Sequence, residues 1–324
     1  MNVFITRKIP EAGLNILKEA GCHIIEHTEQ RPLTPEELIG HCKKADAVLI
    51  AGHTIIDEFF LNECDHLKVI GLMSVGYEHV NLPAATALKI PISNTPGVLS
   101  KATSDIAFLL MLAVSRKAFF MHRQILEGKW NFFEPTANLG IELYGKTLGI
   151  FGLGKIGLEL AKKCRAVFDM NIIYHNRSNN KEAEKLVNAQ YVSLDELLKN
   201  SDVLSLHANL TNETMGRFNL ELFRKMKPSA IFINTGRGGL HNETDLLYAL
   251  QNHLIWGAGL DVTNPEPMAP DHPLLTMPNV CIVPHIGSAT VETRDAMAKM
   301  AAVNIVAGLE GKPIPNIVNT EIYS

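Results

Sequence analysis

No two cysteines in this chain have the CxxC spacing of a redox or zinc motif, and the five present, Cys22, Cys42, Cys64, Cys164 and Cys281, are odd in number and widely scattered. They read as free, mostly buried thiols of a reducing compartment. Charge of one sign is missing as well: 30 Lys and Arg against 34 Asp and Glu leave a formal charge of -4, which offers no basic surface to nucleic acid or to an acidic membrane. Long apolar runs are absent. The longest, around "FLLMLAV" at 108 to 114, is far too short to span a bilayer, and "MNVFITRKIP" has no apolar signal core. There is no HExxH for zinc and no GxSxG turn for a serine nucleophile, and His79, His122 and His207 share no ligand spacing. These absences leave the expectation of a soluble cytoplasmic protein with no metal site. At 324 residues it is long enough for two buried cores.

What is present is alternation. Short apolar runs alternate with helical patterns almost from end to end, the mark of a parallel α/β architecture. In the N-terminal third, "NVFIT", "CHIIEH", "ADAVLIA", "KVIGLM" and "PISN" read as strands. Between them, "PEAGLNILKEAG" has Pro10 suited to a first helical turn and Gly21 to a helix stop, and Thr34 with Glu37 forms a capping box. The break "TPGVL" puts a domain boundary near residue 98. One long buried helix is expected across "KATSDIAFLLMLAVSRKAFFMHRQILEGK". From 147 the pattern restarts with six strands, "TLGIFG", "NIIYH", "DVLSLHA", "AIFINT", "WGAGLD" and "VCIVPH", which fit a doubly wound nucleotide-binding domain. The helix "ATVETRDAMAKMAAVNIVAGL" and the tail are too little for a third domain and are expected to pack back on earlier parts.

The strongest local signal is "GLGKIG" at 152 to 157, a GxGxxG between an apolar strand and an amphipathic helix. Gly152 permits the tight turn, Gly154 lets a pyrophosphate approach the backbone, and Gly157 lets helix and strand pack closely. Phosphates then meet the helix N-terminus. Three later segments end strands where ligands of open α/β sheets bind. "FINTGRGG" offers Arg237 as a two-pronged carboxylate clamp, "GLDVTNPEP" carries Asp261 and Glu266, and "VPHIGSAT" carries His285. Taken singly, Arg237 could bridge domains, Glu266 could be a solvated loop charge and His285 a satisfied core histidine.

Together with "MSVGYEHVNL" and "HPLLTMPNVCIVPHIGSAT", these segments resemble the D-isomer-specific 2-hydroxyacid dehydrogenases, in the glyoxylate and hydroxypyruvate reductase branch, over nearly the whole chain. The resemblance implies two Rossmann-like doubly wound parallel-sheet domains with a cleft between them. The substrate-binding domain would be discontinuous and flavodoxin-like, residues 1–98 plus 288–324, and the dinucleotide-binding domain would be 99–287. Arg237, Glu266 and His285 match the family's catalytic residues. Ser74, the backbone amides of Val75 and Gly76, Arg237 and Ser288 match positions at the substrate, and Asp261 matches the aspartate that holds the nicotinamide amide. The remaining expected cofactor contacts are Thr103, Gly152, Leu153, Gly154, Lys155, Ile156, Gly157, His175, Asn176, Arg177, Ser178, His207, Ala208, Asn209, Thr235, Gly236, His285 and Gly287. Family members are usually homodimers joined through the cofactor domain, including the region matching 100 to 145. Two departures stand out. Asn209 replaces a frequent proline, and "EPTANLG" lacks the tryptophan that hydroxypyruvate-reducing relatives contribute from the partner subunit.

The chemistry such a site needs follows from the reaction. Reduction of a small 2-keto acid, glyoxylate or hydroxypyruvate, puts negative charge on the carbonyl oxygen as hydride reaches the carbon. A histidine, with an unperturbed pKa of about 6.5, suits the proton donor, here His285. Glu266 would orient it and favour its protonated form, and Arg237 would bind the carboxylate and polarise the carbonyl. Where an NAD-binding fold ends its second strand in Asp or Glu, this chain reads "IIYHNRS". An acid there would repel the 2'-phosphate of NADP, whereas Arg177, with Asn176 and Ser178 as donors, can pair with it, so NADP(H) is expected over NAD(H), which stays possible. The bland alternative makes Arg177 a solvent-facing loop charge. Two other functions remain open: a 2-ketogluconate-type sugar-acid reductase and a dinucleotide-sensing corepressor, the latter disfavoured because no docking extension follows Ser324.

Overall fold

The computed structural model of the chain describes residues 1–323. Its elements run β1 (Asn2–Ile5), α1 (Glu11–Glu19), β2 (His23–Glu26), α2 (Pro35–Cys42), β3 (Ala47–Ile50), α3 (Glu58–Glu63), β4 (Val69–Leu72), α4 (Leu82–Ala87) and β5 (Ile92–Ser93). Then follow α5 (Ser100–Ser115), α6 (Ala118–Leu126), β6 (Thr147–Phe151), α7 (Lys155–Phe168), β7 (Asn171–His175), α8 (Lys181–Val187), β8 (Gln190–Tyr191), α9 (Leu194–Asn200) and β9 (Val203–Leu206). The series closes with α10 (Leu220–Phe223), β10 (Ile231–Asn234), α11 (Glu243–Gln251), β11 (Gly257–Leu260), β12 (Val280–Ile282) and α12 (Val291–Leu309). The chain divides into two compact units, Met1–Leu99 with Ala289–Ser324, and Ser100–Ser288.

The first unit is built on a parallel five-stranded sheet of order β2-β1-β3-β4-β5, the flavodoxin-like order. β3 and β4, "AVLI" and "VIGL", are buried at every position, which is why they read as unbroken apolar runs: helices cover both faces of a parallel sheet. The C-terminal helix α12 returns to this unit. Gly13 of α1 lies so close to Ala298 that an added Cβ would sit 2.8 Å from its carbonyl oxygen, so the two helices meet backbone to backbone. Thr34 and Glu37 form the expected reciprocal cap of α2. Pro10 stands one place earlier than expected, as the N-cap of α1.

The second unit holds a parallel seven-stranded sheet of order β12-β11-β10-β9-β6-β7-β8. From β8 to β11 this is the doubly wound dinucleotide-binding order, with its switch between β6 and β9, and β12 extends it at one edge. Two expectations are corrected. A short strand, β8, joins the six anticipated; two residues carry too little period to show in sequence. The long helix is two: Lys117 takes a left-handed conformation (φ 55°) between α5 and α6, with its ammonium 5.2 Å from the Trp256 ring centroid. Only α5 is buried. α6 buries no residue fully and leaves Ile125 and Leu126 exposed. Among the described residues no helix is long and apolar enough to cross a membrane.

Candidate active site

The switch point of the seven-stranded sheet is where the glycine turn lies. Gly152, directly after β6, has φ +95°, and a Cβ on it would come within 2.5 Å of the Ala208 nitrogen after β9, so only glycine closes this turn. Gly154 is the N-cap of α7 and has open space where a Cβ would stand, while Gly157 packs on Ile150. The first amides of α7, Lys155 to Gly157, therefore lack a side-chain cap beside an open approach, the chemistry a pyrophosphate needs. The residues fit a dinucleotide. Beneath the turn, His207 is partly buried beside Thr235, with Ser205 Oγ 2.9 Å from its Nε2, and loss of water around the ring lowers it to about 4, so it is neutral. Asn209 is exposed and its carbonyl accepts from Thr214.

At the end of β7 stand four of the expected cofactor contacts, His175 to Ser178. His175 Nδ1 lies 2.9 Å from the Val192 carbonyl, to which it can only donate, and the ring stacks on Phe151 and Tyr191. Asn176 turns inward: its Oδ1 accepts the Leu153 amide at 2.7 Å, with Asn180 bonded to the Leu153 carbonyl at 2.9 Å. Through that oxygen Asn176 braces the glycine turn, while its amide nitrogen, 3.4 Å from the Leu153 carbonyl, keeps an N–H for the expected cofactor contact. Arg177 and Ser178 are exposed, and among the described residues the Arg177 guanidinium makes no ion pair.

Arg237, Glu266 and His285 all belong to the second unit. His285, after β12, is held with φ 53°, and its Nδ1 lies 2.5 Å from Glu266 Oε1. Burial acts to raise the Glu266 carboxyl, but the bond and charge of His285, a backbone bond from Thr263 and the charge of Arg237 together lower it. An ionised carboxylate only accepts, so the bonded proton is on Nδ1 and Nε2 is left to exchange one. Asp261, at the end of β11, accepts the Ile286 amide at 2.6 Å and the Gly287 amide at 2.9 Å, and its carbonyl accepts the His285 amide at 2.9 Å. It thus braces the turn that presents His285. Thr103 of α5 packs beside Gly287, where a Cβ would meet both Thr103 and Asp261.

One contributor escaped sequence reading. Asn234, wholly buried at the end of β10, accepts the Gly236 amide at 3.0 Å and donates to the Arg237 carbonyl at 2.8 Å, shaping the turn that carries the arginine. The signal for it was there: a polar residue closing the apolar run "AIFIN". In the first unit, the turn after β4 is fixed through its oxygens. Ser74 Oγ donates to the Gly76 carbonyl and Asn94 to the Val75 carbonyl, each at 2.8 Å. Among the described residues the Val75 and Gly76 amides have no protein acceptor. Ser288 is the last residue of the second unit. No group of three or more His, Cys, Asp or Glu among the described residues is arranged to hold a metal ion.

A doubly wound sheet with a dinucleotide turn at its switch point, and a histidine–carboxylate pair at the same ends of its strands, defines a nicotinamide-dependent oxidoreductase. The family model for the NAD-binding domain of D-isomer-specific 2-hydroxyacid dehydrogenases matches residues 108–287. The chain belongs to that family. The glyoxylate reductase of Thermofilum pendens is 40% identical over 322 residues, 99% of this chain and 95% of the relative. The TT0316 protein of Thermus thermophilus superposes with a TM-score of 0.92 at 41% identity, covering 98% of this chain and 100% of that one. An NADPH-dependent glyoxylate/hydroxypyruvate reductase from Sinorhizobium meliloti, in complex with NADP and malonate, superposes with a TM-score of 0.85 at 28% identity, covering 98% and 96%.

Proposed function

We propose that this enzyme reduces a small 2-keto acid, glyoxylate, hydroxypyruvate or both, to the D-2-hydroxy acid, glycolate or D-glycerate, with NADPH preferred to NADH and His285 as proton donor. The observation that carries the reading is the His285–Glu266 pair at 2.5 Å, with Nε2 left over for a substrate oxygen. When bound, the reduced nicotinamide supplies hydride to the carbonyl carbon. His285 gives its Nε2 proton to the oxygen on which charge grows, and Glu266 stabilises the protonated ring while substrate binds. Arg237, fixed by its own bond to the Gly236 carbonyl at 2.8 Å, is a preorganised positive charge for the substrate carboxylate and carbonyl. The free amides of Val75 and Gly76 suit a carboxylate, with Ser288 near the substrate. The unit Met1–Leu99 with Ala289–Ser324 serves as the substrate-binding domain.

Relatives support the substrate class and the cofactor: one is a glyoxylate reductase, and another was solved with NADP and malonate. The exposed Arg177 and Ser178 favour the extra phosphate. A reducing, cytoplasmic setting accords with five free cysteines. The working form is a homodimer joined through the second unit, where Trp130, Phe132 and Phe133 are each more than 70% exposed in one chain. Light scattering should give a dimer that Phe133→Asp weakens; a monomeric unaltered protein refutes the assembly. The main test is a steady-state panel of glyoxylate, hydroxypyruvate, pyruvate and 2-ketogluconate with each reduced cofactor. Highest kcat/KM for 2-ketogluconate, or for NADH, overturns the corresponding half of the reading.

A further inference from the structure

Beneath the loops that carry Arg237 and Glu266 runs a chain of buried polar side chains that neither the glycine turn nor the proton-transfer pair uses. Its first member is Asn234. With its oxygen taken by the Gly236 amide, its nitrogen donates to His241 Nδ1 at 3.0 Å as well as to the Arg237 carbonyl. Since Nδ1 accepts, the His241 proton sits on Nε2, which touches Glu243 Oε2 at 3.8 Å without a hydrogen bond and has no hydrogen-bond partner among the described residues. Burial lowers His241 to about 4, so this ring is neutral. The same Glu243 oxygen accepts the Asn264 amide at 2.9 Å, in the loop that leads to Glu266. On the far side, His272 Nδ1 accepts the Leu274 amide at 3.3 Å, which places its proton on Nε2, 3.6 Å from Glu243 Oε1.

Glu243 opens α11, a place where an acid ordinarily faces water and complements the helix N-terminus. Here it is turned inward and only 8% exposed. Burying a carboxylate is costly unless donors surround it, and an exposed acid would serve the helix as well. The inward orientation therefore needs another reason, and the Asn264 amide supplies one. Contact between the two loops is already tight: a Cβ on Gly238 would overlap the Thr263 carbonyl oxygen, so a shift at 263–264 is passed to the neighbour of Arg237.

We propose that Glu243 is a positioning residue: it holds the Asn264 amide of the Glu266 loop by a hydrogen bond and packs against His241, which is bonded to Asn234 under the Arg237 turn, and so keeps the two side chains in register. The proposal rests on the reading of Arg237, Glu266 and His285 given above. Glu243→Ala strands the Asn264 amide and frees the loop. The keto-acid kcat/KM should fall roughly 10- to 100-fold, the cost of a small misplacement of reacting groups, while the Kd for NADPH, measured by fluorescence titration, stays put. The fall of the reduction rate with rising pH should move to lower pH, because Glu266 no longer rests firmly on His285. Arg237 and Asp261, the other charged groups facing that pair, are unaltered in the variant. Glu243→Gln, whose amide oxygen can still accept from Asn264, should lie nearer the unaltered enzyme than Glu243→Ala does. If the alanine variant does not fold, Glu243→Asp, which keeps the charge and withdraws the acceptor by one methylene, carries the same test. Glu266→Gln is measured alongside. A pH limb that Glu266→Gln leaves in place overturns the catalytic reading; a limb that moves in Glu266→Gln but not in a folded Glu243 variant with full kcat/KM overturns the positioning role alone.

Discussion

Arg177→Ala separates the two reduced cofactors with little risk to the fold, because the side chain is exposed and makes no ion pair among the described residues. Surface substitutions of that kind usually change stability by no more than about 0.5 kcal/mol. The magnitude follows from which neighbours remain free. His175 is bonded to the Val192 carbonyl and stacks on two aromatic rings, and Asn176 is bonded to the Leu153 amide, so both are partly committed to the protein and the expectation is set by the exposed donors. These are one guanidinium and the Ser178 hydroxyl. A hydrogen bond to a charged group contributes about 1.5 to 3 kcal/mol, which makes Arg177 worth roughly 10- to 150-fold in kcat/KM for NADPH. NADH lacks the phosphate, and its kcat/KM should change by no more than about twofold. Initial rates of reduced-cofactor oxidation, taken with saturating glyoxylate and varied NADPH or NADH, measure both numbers in the parent and the variant. Equal losses for the two cofactors, or a parent enzyme indifferent to the phosphate, would refute the argument from the missing acid.

Replacing His285 by Ala should lower the reduction rate by roughly 100- to 10,000-fold while NADPH still binds, since a positioned proton donor contributes about that much; near-normal turnover would remove His285 from the role. Glu266 is held ionised beside His285 and so favours the protonated ring, the form needed for reduction; in Glu266→Gln the rate should therefore fall off at a lower pH, and an unmoved pH–rate profile would show that the carboxylate does not tune the histidine. Stability should also depend on pH through the partly buried His207 and the buried His241, both lowered by desolvation to about 4 from the usual 6.5. The unfolded chain binds their protons first on acidification, so stability is full above about pH 6.5 and is lost between there and pH 4, by on the order of 3 kcal/mol for each ring. Denaturant melts of the unaltered protein and of His241→Val across that range check it: a slope that does not shrink in the variant would mean that the buried ring contributes none of it.

The parallel architecture was legible because strands covered on both faces are written as unbroken apolar runs, as in "AVLI" and "VIGL", and because a glycine turn must follow the first strand of a dinucleotide fold. β8 and the break at Lys117 were not. A two-residue strand has no period, and a lysine in a left-handed turn carries no glycine or proline to announce it; it is held there by Trp256, which is remote in sequence. Composition alone could not have said that α6 faces outward, because its apolar residues belong to the same run as those of buried α5.

Around the site the division is sharper and has one cause. Arg237, Glu266 and His285 stand out because each follows an apolar strand and has chemistry of its own, whereas Asn234 and Glu243 act through backbone groups and His241 through Asn234. Sequence spacing gives no sign that Glu243 reaches Asn264, since the bond depends on β10 and β11 lying side by side with their ends level, Asn234 opposite Leu260. The same holds at β7, where Asn176 reads as a phosphate donor by type but lies beside the Leu153 amide once β6 and β7 are paired, Phe151 opposite His175. Residue type shows what a side chain could bond. The register of adjacent strands decides which of those bonds it has already made, and in this protein that register commits the Asn176 oxygen to bracing the glycine turn.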